Sequence, residues 1–153
     1  MASDQAGPSL WARRLGYGGL IPFVILAAAL WVARPGDWPL ATMALLGYGA
    51  TISSFLGAIH WGLVLREGPA QPVPALLWGV VPSLLGWLAL LLGHAPGLLL
   101  IAALLWACLA VDRVLYPRFQ LQAWLPMRLR LTLVASIGCL AGAAALLQEA
   151  QRH

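Results

Sequence analysis

Apolar residues run along this chain in long uncharged blocks, each closed by a short charged or turn-forming segment. Residues 15–33 form the first block, and the segment RPGD at 34–37 ends it. Residues 38–65 form the second, closed by REGP at 66–69. Residues 68–111 contain no acidic or basic residue over 44 positions. That is too long for one helix, since about 20 residues cross roughly 30 Å of hydrocarbon. The segment GHAPG at 93–97 divides it, because Gly and Pro together mark a turn. The last block, 131–147, starts near Pro126 and stops before Gln148 and Glu149. The pattern predicts an all-α membrane protein, a five-transmembrane-helix bundle forming one membrane domain over 1–153. Its helices are expected at about 15–33, 39–65, 73–92, 97–115 and 127–147.

Composition excludes the soluble classes. Of the 153 residues 61% are hydrophobic and 9% are charged, against roughly 25% charged in a soluble domain. Mean hydropathy is +0.85. So few charges cannot cover a soluble surface, which removes a soluble enzyme and a disordered linker. The net charge of +4 would suit nucleic acid, but arginine beside apolar spans is the signature of cytoplasmic loops and anionic headgroups. No nucleic acid partner is expected; the bilayer is. All nine basic residues are arginine. With the N-terminus inside, Arg13, Arg14, Arg66, Arg113, Arg118, Arg128 and Arg130 lie on the cytoplasmic side, and Arg34 and Arg152 outside. This bias sets the N-terminus in and the C-terminus out. The Arg-only basic set and the Ala, Leu and Gly richness suggest a GC-rich bacterial gene, and hence the inner (cytoplasmic) membrane. The first block follows Arg13 and Arg14 as a signal peptide would. Its length and the lack of an A-x-A site before Arg34 favour an uncleaved helix. Cys108 and Cys139 sit in apolar runs without CxxC spacing, so they read as small buried residues and no metal site is expected.

Helical spacing then picks out an interior. Gly49, Ser53 and Gly57 recur every four residues, a small-xxx-small row that lets helices approach closely. His60 lies three residues beyond Gly57 at the angular middle of that row, so it faces the protein interior. It reads either as a buried hydrogen-bonded histidine or as a ligand or proton-handling residue, since ionisable groups inside membrane spans are functional candidates. Trp61 follows it. On the last helix Arg128, Thr132 and Ser136 share one face, and Gly138 and Gly142 form a second close-approach pair. Asp112, in the last turn of the fourth helix, gains little from the helix dipole, so an arginine partner is expected, Arg128 or Arg130. Trp11, Trp61, Trp78 and Trp124 fall near the inner interface and Trp31 and Trp38 near the outer one, while Trp87 and Trp106 lie deeper and need partners for their indole N–H groups. Pro22 and Pro82 are expected to kink the first and third helices. The topology thus gathers His60, Asp112 and Arg128 into one polar cluster under the cytoplasmic interface.

Three functions fit. The first is a ligand-binding or accessory and assembly protein: the bundle holds a lipid, a quinone or another amphipathic ligand, or joins a homo-oligomer or larger membrane complex. Its candidate ligand-binding residues are His60, Trp61, Asp112, Arg128 and Ser53, with Gly49, Gly57, Gly138 and Gly142 packing the helices. The second is an oligomeric small-solute transporter or channel, although no span carries a series of acids or arginines. The third is a membrane-embedded enzyme using His60, although no G-x-S-x-G or H-E-x-x-H motif supports it. No catalytic residue is assigned and the cofactor stays open; haem on His60 would need a second ligand, and His94 lies at the outer turn.

Several segments resemble a known family. They are LGYGGLIPF at 15–23, YGATISSFLGAIHWG at 48–62, PSLLGW at 82–87, Asp112 with Tyr116 and Pro117, and RLRLT at 128–132. Together they resemble the small bacterial and mitochondrial membrane-protein family of unknown function that includes transmembrane protein 69, over about residues 12–147. The resemblance implies a multi-helix membrane protein without an established activity, and makes the segment around His60 and Trp61 a family hallmark.

Overall fold

The structure is a computed structural model that describes residues 7–32, 34, 37–66 and 73–151. The described chain is helical, without strands. It comprises α1 (Leu10–Gly18), α2 (Ile21–Val32), α3 (Trp38–Arg66), α4 (Val73–Leu92), α5 (His94–Leu115) and α6 (Leu125–Ala150). Two short 3-10 turns, Tyr116–Phe119 and Gln122–Trp124, join α5 to α6. Among the described residues, five helical segments are long and apolar enough to cross a membrane, α1 and α2 together making the first.

Proline explains where the helices start. Pro22, Pro39, Pro74, Pro96 and Pro126 each lie in the first turn of α2, α3, α4, α5 and α6. There the missing N–H has no intrahelical role and the fixed φ favours the helix. The fourth span therefore begins at His94 rather than at 97, since Pro96 belongs to its first turn. Gly93 alone links α4 to α5, at a φ of 61° that suits glycine. Pro22 does more than kink the first span. It starts a new helix, and Gly19 and Leu20 separate α1 from α2. The Gly19 carbonyl, freed by the break, accepts a 2.8 Å hydrogen bond from the Tyr48 hydroxyl of α3, the kind of external partner a broken membrane helix requires. Pro82 differs: α4 passes through it as one helix.

Where lipid replaces water, helices associate by close contact rather than by escape from solvent. α3 and α4 run antiparallel with their backbones nearly touching. A Cβ on Gly57 would strike the Gly79 carbonyl oxygen, and one on Gly86 would lie 3.2 Å from the Ala50 Cα. Gly49 faces Ile101 of α5, Gly138 faces the backbone of Phe23 on α2, and Gly142 admits Leu45, Leu30 and Leu98 together. The core sits around α5, whose Leu98, Ile101, Leu105 and Cys108 pack against α3 and α6. Trp87 and Trp106 point out of the bundle, 59% and 41% exposed, rather than into its interior. The buried indole nitrogen without a hydrogen bond is that of Trp78.

Candidate functional site

Three helices each deliver one ionisable residue to a point inside the bundle. α5 brings Asp112 on its last turn, α6 brings Arg128 on its first, and α3 brings His60 two turns from its end. The link between α5 and α6 makes the meeting possible. Gln120 takes a left-handed conformation at φ 59°, and the Leu121 N–H donates to the Tyr116 carbonyl at 2.9 Å. The chain thus turns back and lays the start of α6 against the end of α5.

The Asp112 carboxylate is the centre of the cluster. Arg128 Nε donates to its Oδ2 at 2.8 Å, and Arg128 Nη2 lies 2.7 Å from the same oxygen. His60 Nε2 lies 3.3 Å from Oδ1, close but not aligned as a hydrogen bond. The other ring nitrogen, Nδ1, is 3.3 Å from the Leu56 carbonyl. Asp112 and His60 are both 1% exposed. An isolated carboxylate could not survive there, because burying a charge without a partner is prohibitive. Asp112 chooses Arg128 over Arg130, which faces outward, because only Arg128 shares the inner face of α6 with Thr132 and Ser136.

Beside this cluster lies a cavity of about 390 Å3. α1, α2 and the break between them wall one side of it with Gly16, Phe23 and Gly19, α3 another with Ile52 and Phe55, and α6 a third with Leu131. Its walls are apolar except at one end, where Arg128, Thr132, Tyr116 and Trp124 meet. The Tyr116 hydroxyl lies beside the Arg128 guanidinium. Thr132 is 2% exposed, and its Oγ1 has no hydrogen-bond partner in the protein. A buried hydroxyl in that state costs about 1–3 kcal/mol. Ser136, one turn on, avoids the cost by donating to the Thr132 carbonyl at 2.7 Å. Asp112 and His60 stand outside the lining, on the far side of Arg128.

The remaining sequence candidates lie elsewhere. Ser53 is buried, and its hydroxyl is already used, donating to the Gly49 carbonyl at 2.9 Å. Trp61 sits on the α3–α4 seam, 41% exposed, with its ring over Gly79 and its indole N–H donating to the Leu76 carbonyl at 3.0 Å. Gly49, Gly57, Gly138 and Gly142 all pack helices closely. His94 opens α5, eighteen residues and about 27 Å along the helix from Asp112, and lines a different recess with Trp38 and Thr42. Sequence reasoning missed α1 as a cavity wall. Its nearest signal was the run of glycines at 16, 18 and 19, of which Gly16 lets α1 stand close to Met127 of α6.

A family profile described as "Protein of unknown function (DUF3429)" matches residues 9–145. Transmembrane protein 69 of Xenopus tropicalis is 44% identical over 91 residues, which is 58% of this chain and 34% of the frog protein. Transmembrane protein 69 of Mus musculus is 30% identical over 137 residues, 88% of this chain and 54% of the mouse protein. The chain thus spans between a third and about half the length of the curated relatives it matches. No solved structure matches it. The match to the family profile covers α1 to α6 almost end to end and so includes His60, Asp112 and Arg128; the chain belongs to the DUF3429 family of unknown function, an integral membrane protein like the relatives it matches.

Proposed function

We propose that this protein is a ligand-binding membrane protein, which takes an amphipathic molecule such as a lipid or quinone into the cavity between α1–α2, α3 and α6. The observation that carries this reading is the form of that cavity. Its 390 Å3 falls within the size range of small-molecule sites, which are mostly apolar with a few placed polar groups. The orphaned Thr132 hydroxyl and the paired Arg128 supply those groups at one end. The ion pair of Asp112 with Arg128, braced by His60, holds the guanidinium at the cavity wall.

This favours a positioning role for His60 over a catalytic one. Both of its ring nitrogens face protein oxygens, and it does not line the cavity. The same reading puts the arginine-rich end of the bundle, and with it the N-terminus, in the cytoplasm, and the protein in a bacterial inner membrane. An accessory role in a larger complex, or a homo-oligomer, would use the outward helix faces and leave the cavity free. The test is native mass spectrometry of the chain in mild detergent after extraction from its own membrane. A discrete adduct on the wild type, lost when Ile52→Trp fills the cavity, supports the reading. Bare wild-type chains that also take up no added lipid or quinone would sink it.

A further inference from the structure

The polar end of the cavity is one-sided in its chemistry. Among the described lining residues Arg128 carries the one formal charge, and no acid or amide side chain joins it. Asp112 uses the Nε and Nη2 edge of the guanidinium from behind the wall, which leaves the Nη1 end outside the ion pair. The pair is therefore a dipole with its positive end on the cavity. Thr132 Oγ1 adds a hydroxyl without a protein partner, and Tyr116 adds another beside the guanidinium. Such a set matches an oxygen-rich acceptor and leaves a donor-only head unpaired.

The surroundings point the same way. Arg13, Arg14, Arg66, Arg113, Arg118 and Arg130 are all exposed at the end of the bundle where Asp112, Arg128 and α1 lie. A collar of this sign gathers anionic headgroups at the membrane surface. The cavity is flanked by Leu15 of α1 and Phe55 of α3, both apolar and exposed at 73% and 61%. Its flank therefore faces the hydrocarbon rather than water.

We infer that the ligand is an anionic lipid, which enters sideways from the leaflet at the arginine collar, sets its carboxylate or phosphate on Arg128, Thr132 and Tyr116, and lays its hydrocarbon chain along Phe23, Ile52 and Leu131. This rests on the ligand-binding reading above and narrows it. Carboxylate and phosphate share the recognition chemistry, so a free fatty acid and an anionic phospholipid are the two sources.

The delipidated protein in mild detergent is titrated, by native mass spectrometry, with four probes: oleate, dioleoylphosphatidylglycerol, oleyl alcohol and decylubiquinone. One anionic probe is expected to bind one per chain at least tenfold more tightly than the alcohol and the quinone. Oleate binding alone names a fatty acid as the source, and phosphatidylglycerol binding alone names a phospholipid. Thr132→Val is expected to weaken that binding about tenfold without unfolding the protein, since the lost hydroxyl has no protein partner. Thr51→Val, on the exposed side of α3, is the matched control and leaves binding unchanged. Ile52→Trp, which fills the chain groove, abolishes it. Equal or tighter binding of the alcohol or quinone, sensitive to Thr132→Val, overturns the anionic head and leaves the cavity reading standing. Anion binding indifferent to both Thr132→Val and Ile52→Trp places the lipid on the arginine collar alone and overturns the site. Failure of all four probes on folded protein overturns this inference and the cavity reading together.

Discussion

At the scale of single residues, the buried carboxylate governs the behaviour of the site. Asp112→Asn keeps the shape of the side chain but leaves the Arg128 guanidinium buried without its counter-charge. Breaking a buried pair in this way costs about 3–5 kcal/mol, so the variant should melt well below the wild type in detergent. Asp112→Leu with Arg128→Met removes both charges, and thermal melts should show most of that loss recovered; equal destabilisation by the single and double variants would contradict the pairing. Exchanging the two charges is a poorer rescue, because an arginine at position 112 would sit beside His60 rather than an acid. The inward direction of His60, Arg128 and Thr132 was legible in the sequence because helical periodicity fixes which side chains share a face. The fate of individual hydroxyls was not. Ser53, Ser136 and Thr132 lie on similar faces, yet Ser53 and Ser136 bond back to their own helix while Thr132 stays unpaired. That difference lies in rotamers set by packing, which spacing along a sequence does not encode. Trp61 misleads for a related reason: it adjoins His60 in sequence, but a step of 100° carries it onto the α4 seam.

At the scale of elements, small residues decide how near the helices come. A matched pair of substitutions on α3 isolates the effect. Gly57→Ala would drive a methyl group into the Gly79 carbonyl of α4, and backbone cannot swing aside as a side chain can. Overpacking of this kind costs about 1–3 kcal/mol. Gly62, five residues on, meets nothing within 4 Å, so Gly62→Ala should leave stability unchanged or raise it by up to about 1 kcal/mol through helix propensity. Denaturant unfolding of both variants, followed by circular dichroism, should separate them cleanly; similar losses would mean that α3 and α4 do not pack through this row. The small-xxx-small row was readable from spacing alone, but its partners were not, since Gly49 serves α5 while Gly57 serves α4. The break in the first span escaped a hydropathy reading because residues 15–33 are continuously apolar. Pro22 is a first-turn proline like the four that open the other helices, and read in that way it places a helix start at Ile21. α2 has 12 residues and covers only about 18 Å, so the first crossing needs α1 as well. That requirement holds the amphipathic α1, with Arg13 and Arg14, against the cavity.

At the scale of the whole molecule, the two ends of the bundle differ in kind, and that difference predicts how it sits in the membrane. The cluster end carries six exposed arginines from α1, α3, α5, the following turn and α6. The other end has one exposed arginine among the described residues, Arg34, together with Trp38, His94 and Glu149. Arginine-rich segments beside spans are retained in the cytoplasm, so the turn between α5 and α6 should face inward and the end of α6 outward. Cys108 and Cys139 are both buried inside apolar helices, so a membrane-impermeant maleimide should give little background on the natural protein. Gln122→Cys and Gln148→Cys place one exposed thiol near each end. In intact cells Gln148→Cys should label at once, and Gln122→Cys only after the membrane is opened. The reverse order would put the arginine collar outside. The anionic lipid would then have to come from the outer leaflet, and the charge bias that orients most membrane proteins would have failed in this one. The expected order would place the cavity, its orphaned hydroxyl and the arginine collar together at the cytoplasmic leaflet, where negative surface potential concentrates positive protein surface and anionic lipid against each other.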